Sequence, residues 1–242
     1  YETQSSFWYG IQPEVKTAEE LSVLNEFKVS GYYIIQEGNT KTFIRCGSYK
    51  DRPCQSDNLH LDLWVDGRNI LRDNGTYQYN TSKDLSNYFN GSHGHNTVSI
   101  EGRDQMLKGE RFIWNYWVKE AKASITEFKD RYFFTGKIRG YKELGSNVCH
   151  ERNVTKRKKC NEWLVEDIIT GVDNKLSVQY WHFSEKYRHH LSITSIDGDN
   201  KKLEATIEEK WYSSYYGYKE PSIRLSFQTT TNKFQTKISY RK

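Results

Sequence analysis

The stretch LHLDLWVDGRNIL, residues 59–71, alternates apolar and polar residues on one side of Asp66–Gly67 and resumes an apolar run on the other. Successive side chains of a strand point to opposite faces, so Leu61, Leu63 and Val65 share one face and His60, Asp62 and Trp64 the other. Asp-Gly between two such runs signals a two-residue hairpin turn. The pattern recurs along the chain. GYYIIQEG, TKTFIRCG, HNTVSIEG, RFIWNYWVKEAKASITEF, RYFFTGKIRGY, HERNVTK, EWLVEDIITG, LSVQYWHF, LSITSIDGDN, KLEATIEEKW, PSIRLSFQTTT and FQTKISY all read as strands, with turn signals at Glu101–Gly102, Gly171, Asp197–Gly198 and Asn232. Many short strands without a βαβ rhythm predict an all-β chain, a large antiparallel β-sandwich of two packed sheets. No repeat or internal boundary divides it, so residues 1–242 are expected to form a single domain. TAEELSVLNEF, residues 17–27, predicts a short helical or irregular lead-in capped by Thr17.

Mean hydropathy is low, yet 15% of the residues are Phe, Trp or Tyr. Disordered chains are poor in aromatics, and large rings supply a core where aliphatics are scarce. The net charge of +5 is local. Between residues 137 and 160, eight basic residues stand against Glu143 and Glu151. Such a strip reads as a solvated hairpin tip or as a surface that attracts a polyanion. No run of 18 apolar residues exists to span a membrane as a helix. The chain opens on Tyr1 without a signal-peptide pattern, which predicts a processed form or a piece of a longer protein. Cys46, Cys54, Cys149 and Cys160 form no CxxC knuckle; Cys149 and Cys160 flank a hairpin-like segment and leave a cross-strand disulfide or free thiols as alternatives.

Pairing about the Asp66–Gly67 turn sets His60 opposite Asp73, where side chains share a face, unless a bulge shifts the register. A His–Asp pair serves to orient the imidazole, or to bind a metal such as zinc through nitrogen and carboxylate oxygen. HGHNTV offers His95 as a third corner, with His93 two residues away. Whether His60, Asp73 and His95 make a metal site, a catalytic site or a polar cluster stays open at this level. Tyr77 and Tyr79 are candidates to face a cleft or to pack in the sheet. Arg103 and Gln105 are candidates for substrate contact or for a solvated loop. His182 reads as a core or interface histidine, His189 and His190 as surface. Asn-x-Ser/Thr triplets occur at Asn74, Asn80, Asn90 and Asn153.

At these residues the sequence resembles the heparinase II/III-like family. The carriers are RPCQSDNLHLDLWVDGRNILRDNGTYQYN and YFNGSHGHNTVSIEGRDQ, with WLVEDIITG, VQYWHF and SSYYGYKEPS as later pieces. The likeness runs from about residue 31 to 240. It implies the C-terminal β-sandwich of a polysaccharide lyase whose N-terminal α/α-toroid is absent from these residues. It implies β-elimination on a uronic-acid polymer, heparan-sulfate-like or alginate-like. A Tyr or His would take the C5 proton while Asn or His neutralises the carboxylate. Most catalytic groups would lie on the toroid, so this chain alone is expected to be inactive or nearly so. Implied cleft residues are His60, Tyr77 and Gln55, with Asn58, Tyr79, Arg103 and Gln105 toward substrate. A structural zinc would sit on His60, Asp73 and His95. Implied partners are an acidic polysaccharide and the toroid of the same parent, not nucleic acid, in a bacterial periplasm or cell envelope. The sequence departs from relatives with an H-x-H pair, since Asn58 stands where their first His would be. The alternative is a non-catalytic module that binds acidic polysaccharide or stabilises a neighbouring domain.

Overall fold

The computed structural model describes residues 23–241. Five strands open it as an antiparallel meander: β1 (Leu24–Phe27), β2 (Tyr32–Glu37), β3 (Thr40–Arg45), β4 (Leu61–Val65) and β5 (Arg68–Leu71). Asp66 and Gly67 take φ of 51° and 71°, the two left-handed residues that the hairpin turn demands. A helix, α1 (Lys83–Asn90), follows, with Ser82 as N-cap. Then come β6 (Val98–Ile100) and a ribbon of β7 (Leu107–Lys108) and β8 (Trp114–Asn115). The larger strands are β9 (Glu120–Glu127), β10 (Arg131–Arg139), β11 (Cys149–Arg157), β12 (Glu162–Thr170), β13 (Ser177–Phe183), β14 (Leu191–Asp197), β15 (Thr206–Tyr212), β16 (Glu220–Thr229) and β17 (Lys233–Tyr240).

The predicted sandwich is present. A six-stranded sheet, β14-β17-β12-β11-β10-β9, shares one buried core with the first meander and with a four-stranded sheet, β15-β16-β13-β6. Its inward residues alternate as the strand period requires: Phe134 and Ile138 on β10, Val154 on β11, Trp163 and Val165 on β12, Phe234 and Ile238 on β17. Tyr33 meets Phe134 edge-on at 5.4 Å, and Trp163 Nε1 donates to Thr42 Oγ1, so rings and hydrogen bonds cross between sheets. Leu61, Leu63 and Val65 are buried as their spacing predicts.

Four expectations need correction. Residues 17–22 of the predicted lead-in helix lie outside the described residues. The remainder contains β1, because Leu24–Phe27 finds β2 as a partner for its backbone. The run 111–128 is not one strand: Tyr116 sits at φ 55° and divides β8 from β9. Residues 83–90, absent from the sequence reading, are helical; Ser82 with Asp84 in the first turn was the available signal. The disulfide alternative fails. All four cysteines are free. Cys149 opposes Thr170 at the far end of the β11–β12 hairpin from Cys160, roughly 27 Å along the strand, far beyond bridging distance.

Candidate functional site

The β4–β5 ladder starts in the predicted register, Val65 with Arg68 and Trp64 with Asn69, and then slips by a bulge at Leu63 and Trp64, so that Leu63 faces Leu71. Asp73 therefore does not stand opposite His60. Its Oδ1 instead accepts the Gly75 N–H at 2.5 Å. His60 uses the residue two places along its own strand face: its Nε2 lies 3.1 Å from Asp62 Oδ1. Its Nδ1 accepts the Asn96 N–H at 2.9 Å, which fixes the proton on Nε2. Burial lowers the pKa of His60, but the hydrogen bond and charge of Asp62, with Asp73 and Asp57 beyond, outweigh it and leave the value raised.

His95 lies beside His60. Its ring meets His60 edge-on, centroids 5.4 Å apart. Its Nδ1 lies 2.8 Å from the Gly91 carbonyl, so Nδ1 carries the proton and Nε2 is a bare lone pair, buried without a partner. Burial, with the neighbouring His60, lowers its pKa. Asp73 lies close enough to act electrostatically on both rings. The residue types suit zinc and the free His95 Nε2 suits a ligand. The geometry does not: among the described residues no three His, Cys, Asp or Glu side chains are grouped to hold an ion, and His60 Nε2 is held by Asp62.

Several predicted contact residues are scaffold. Asn58 and Gln105 are fully buried and hold each other: Gln105 Oε1 accepts the Asn58 N–H, and Gln105 Nε2 donates to the Asn58 carbonyl at 2.6 Å. A side chain with no exposure does not touch a polysaccharide, so both substrate assignments are corrected. His60 is 3% exposed with both nitrogens engaged, which also removes it as a direct proton acceptor. Asn96 binds the Leu61 carbonyl through Nδ2 and accepts the His182 N–H through Oδ1. His182 is core, as expected; its Nδ1 accepts from Asn74 Nδ2, and burial drives its pKa well down.

Above this buried floor lies a surface trough of three adjoining cavities. The middle one, about 400 Å³, is lined by Arg52, Gln55, Thr76, Tyr79, Asn90, Lys108 and Phe112, among others. Tyr79, Lys108 and Phe112 also line a larger lobe of about 920 Å³, with Lys83, Asn87, Arg111 and Asn115. Arg52, Pro53, Cys54 and Gln55 are shared with a third lobe of about 430 Å³, which adds Arg45, Tyr49 and Asp57. Gln55 Nε2 spans the floor between the Gly75 and Phe89 carbonyls, 3.4 Å from each. Tyr79 is exposed, edge-on to Phe112 at 5.3 Å and tilted against Tyr216 at 5.4 Å. Tyr77 is not among the residues lining these cavities; at φ 63° it turns its ring against Phe89. The His60–His95 pair lies below, tied through Gly91 to the trough residue Asn90.

A family model described as "Heparinase II/III-like, C-terminal" matches residues 20–241. The chain belongs to this family. Comparison with curated proteins gives no match. Among solved structures, heparan sulfate lyase HepC from Pedobacter heparinus superposes with a TM-score of 0.74 at 18% identity, covering 91% of this chain and 37% of that one. A heparinase III structure gives 0.73 at 16% identity, covering 91% and 36%. This chain thus spans a little over a third of those proteins, and at such identity the likeness establishes the fold.

In this heparinase II/III-like domain six of the eight cations of the basic strip are engaged within the fold, and Lys142 and Lys159 are exposed. Arg152 and Lys156 point inward and are buried. Arg152 forms a two-pronged ion pair with Asp167, whose carboxyl is held far below the usual range by Arg152 and His150 against the effect of burial. Lys156 Nζ donates to Glu37, 3.2 Å away, and to the Arg157 and Cys160 carbonyls. Outward, Lys137, Arg139, Arg157 and Lys158 pair with Glu151, Glu120, Glu162 and Glu127. Arg103 is exposed and paired with Glu143 at 3.2 Å, outside the trough lining. Sequence reading missed Arg52, Lys108 and Phe112, whose proximity exists only in the folded loops.

Proposed function

We propose that this chain is the C-terminal sandwich of a polysaccharide lyase acting on a uronic-acid-containing polymer by β-elimination, and that the trough is its wall of the substrate cleft. The observation that carries this reading is the trough's lining. Arg52, Lys83, Lys108 and Arg111 form no ion pair among the described residues and converge on one trough, whereas Lys137, Arg139, Arg157 and Lys158 of the 137–160 surface are each paired with a glutamate. Unpaired cations beside exposed rings and amides suit an acidic sugar chain: charge for carboxylates or sulfates, rings for pyranose faces, amides for hydroxyls. In the elimination a base takes the C5 proton, the C4–O bond breaks, and a C4–C5 double bond forms with the leaving sugar reprotonated. A cation near the uronate carboxylate favours that proton's loss by stabilising the developing charge. Tyr79 is an exposed phenol on the present wall; the remaining groups belong to the rest of the parent protein.

The test is ultraviolet absorbance of the unsaturated product, generated by the parent protein on heparan-sulfate-like and alginate-like polymers. Product formation that falls at least tenfold in Arg52→Gln or Tyr79→Phe supports the reading. Binding without product on every acidic polymer favours the non-catalytic module instead. A structural zinc is a separate proposal, motivated by the bare His95 Nε2. It requires His60 to exchange Asp62 for the metal. One equivalent of zinc in the wild type, lost in His95→Ala, supports it; none in either overturns it.

A further inference from the structure

Resting on the cleft reading above, we propose that Lys108 is the anion anchor of the trough, holding the carboxylate or sulfate of the sugar that straddles the Tyr79–Phe112 ridge. Lys108 lines both the middle and the large cavity, so it stands where one sugar unit crosses from the first to the second. It is half-buried, unlike the exposed Arg52, Lys83 and Arg111. Its ammonium lies 4.5 Å from the centroid of the Trp114 ring, and Trp114 is itself buried and anchored by Nε1 to the Cys54 carbonyl. The ring thus fixes the cation's position without neutralising it. Among the described residues no carboxylate completes an ion pair with it. Asp104 acts on Lys108 electrostatically, and its Oδ1 is bound to the Ser92 N–H. Partial burial lowers the Lys108 pKa, as expected of a cation short of both water and counter-charge.

Two rings complete the seat. Tyr79 and Phe112 meet edge-on, are both exposed, and line the same two cavities as Lys108. A pyranose needs this combination: an apolar face for the ring and a cation for its equatorial anionic substituent. Glu110 is the one carboxylate lining the middle and large cavities, against four cations, which fits an anionic chain and disfavours a cationic one. Uronate and sulfate offer the same oxyanion chemistry to Lys108, so the test separates them.

The experiment is calorimetric titration of this chain with three hexasaccharides: an unsulfated glucuronate-containing one, its sulfated counterpart, and a neutral one. Lys108→Gln is expected to weaken both anionic ligands about tenfold, the order of one charge-assisted hydrogen bond, while Lys108→Arg retains most of the affinity. The neutral ligand should be indifferent to Lys108 and sensitive to Tyr79→Ala. Loss on the sulfated ligand alone assigns the contact to sulfate; equal loss on both assigns it to carboxylate. Lys137→Gln, on the paired strip, is the control and should change nothing. If Lys108→Gln matches wild type on both anionic ligands while Tyr79→Ala weakens them, the trough binds sugar and the anchor is overturned. If wild type binds none of the three, the cleft reading and the anchor both fall. Thermal melts of each variant establish that the fold is intact.

Discussion

Arg152 and Asp167 meet as a two-pronged ion pair inside the six-stranded sheet, Nε to Oδ1 and Nη2 to Oδ2 both at 2.7 Å, with neither side chain exposed. The remaining Nη1 crosses to the carbonyls of Leu59 and Asn96, the residues just before His60 and just after His95. One buried charge pair thus ties the central sheet to both histidine-bearing segments. Breaking such a pair leaves its partner charged and unsolvated, at a cost of about 3–5 kcal/mol. Arg152→Met and Asp167→Leu are each expected to lower unfolding free energy by about that amount in urea melts. The double variant should lose less than the sum, because no orphan charge remains. Strict additivity would show that the pair is not a unit.

Stability should also fall on acidification, in two windows. An unfolded His titrates near pH 6.5. His93, His95, His150 and His182 have lowered pKa values, burial being the largest cause in each. Below about pH 6.5 the unfolded chain therefore binds more protons than the fold at these four sites, and stability drops. His60 runs the other way: its raised pKa gives stability that is complete below about pH 6.5 and lost as pH rises through the folded value. Four sites against one leave a net loss as pH falls below about 6.5, offset in part by Asp104, whose burial-raised pKa adds stability on acidification. Asp167, with its depressed pKa, adds stability that is full above about pH 4 and is lost as pH falls through the folded value. Melting temperature measured from pH 7.5 to 3 should decline in both windows. A flat profile between pH 7 and 5 would contradict the neutral buried histidines.

The parts legible in the sequence are those with a short-range cause. Asp66–Gly67 announces its turn, and Leu61, Leu63 and Val65 announce their face. His95 is a candidate beside His60 from its place before the next strand and from the family resemblance. The bulge at Leu63 and Trp64 has no such signal, and one slipped residue exchanged Asp73 for Asp62. Arg152 and Lys156 looked like surface because charge normally marks it; only the Arg152 partner on β12, fifteen residues away, makes burial tolerable. The family resemblance makes Asn58 and Gln105 cleft candidates, and they are instead each other's partners across 47 positions. The trough is assembled from loops around residues 52–55, 76–79 and 107–112, which no periodicity connects.

Gly75 tests how the trough is held. It sits at φ 78°, and a Cβ there would fall onto the Ser213 carbonyl. Around it, the Ser213 N–H donates to the Asn74 carbonyl, and the Tyr77 N–H donates to Ser213 Oγ. Gly75→Ala should therefore cost several kcal/mol and displace the 213–218 loop that carries Tyr216. Gly67, at φ 71° with nothing near its missing Cβ, is the control for backbone strain alone; Gly67→Ala is expected to cost only about 1 kcal/mol. Similar losses for the two would mean the Ser213 contact is soft.

Thiol chemistry offers an independent probe of the trough. Cys54 is exposed and lines the two cavities that meet at Arg52 and Gln55. Cys46 is buried beneath, and burial pushes its thiol up to about 12, so it holds almost no reactive thiolate at neutral pH. Cys149 and Cys160 are partly exposed on the far hairpin. Brief treatment with a maleimide at pH 7 should label Cys54 first and leave Cys46 untouched until the chain is unfolded, as read by peptide mapping. A bulky adduct at Cys54 fills the middle lobe, so the labelled protein should lose affinity for an acidic hexasaccharide at least tenfold. Cys54→Ser should bind normally and resist that inactivation. Full binding by a stoichiometrically Cys54-labelled protein would place the sugar elsewhere on the sandwich.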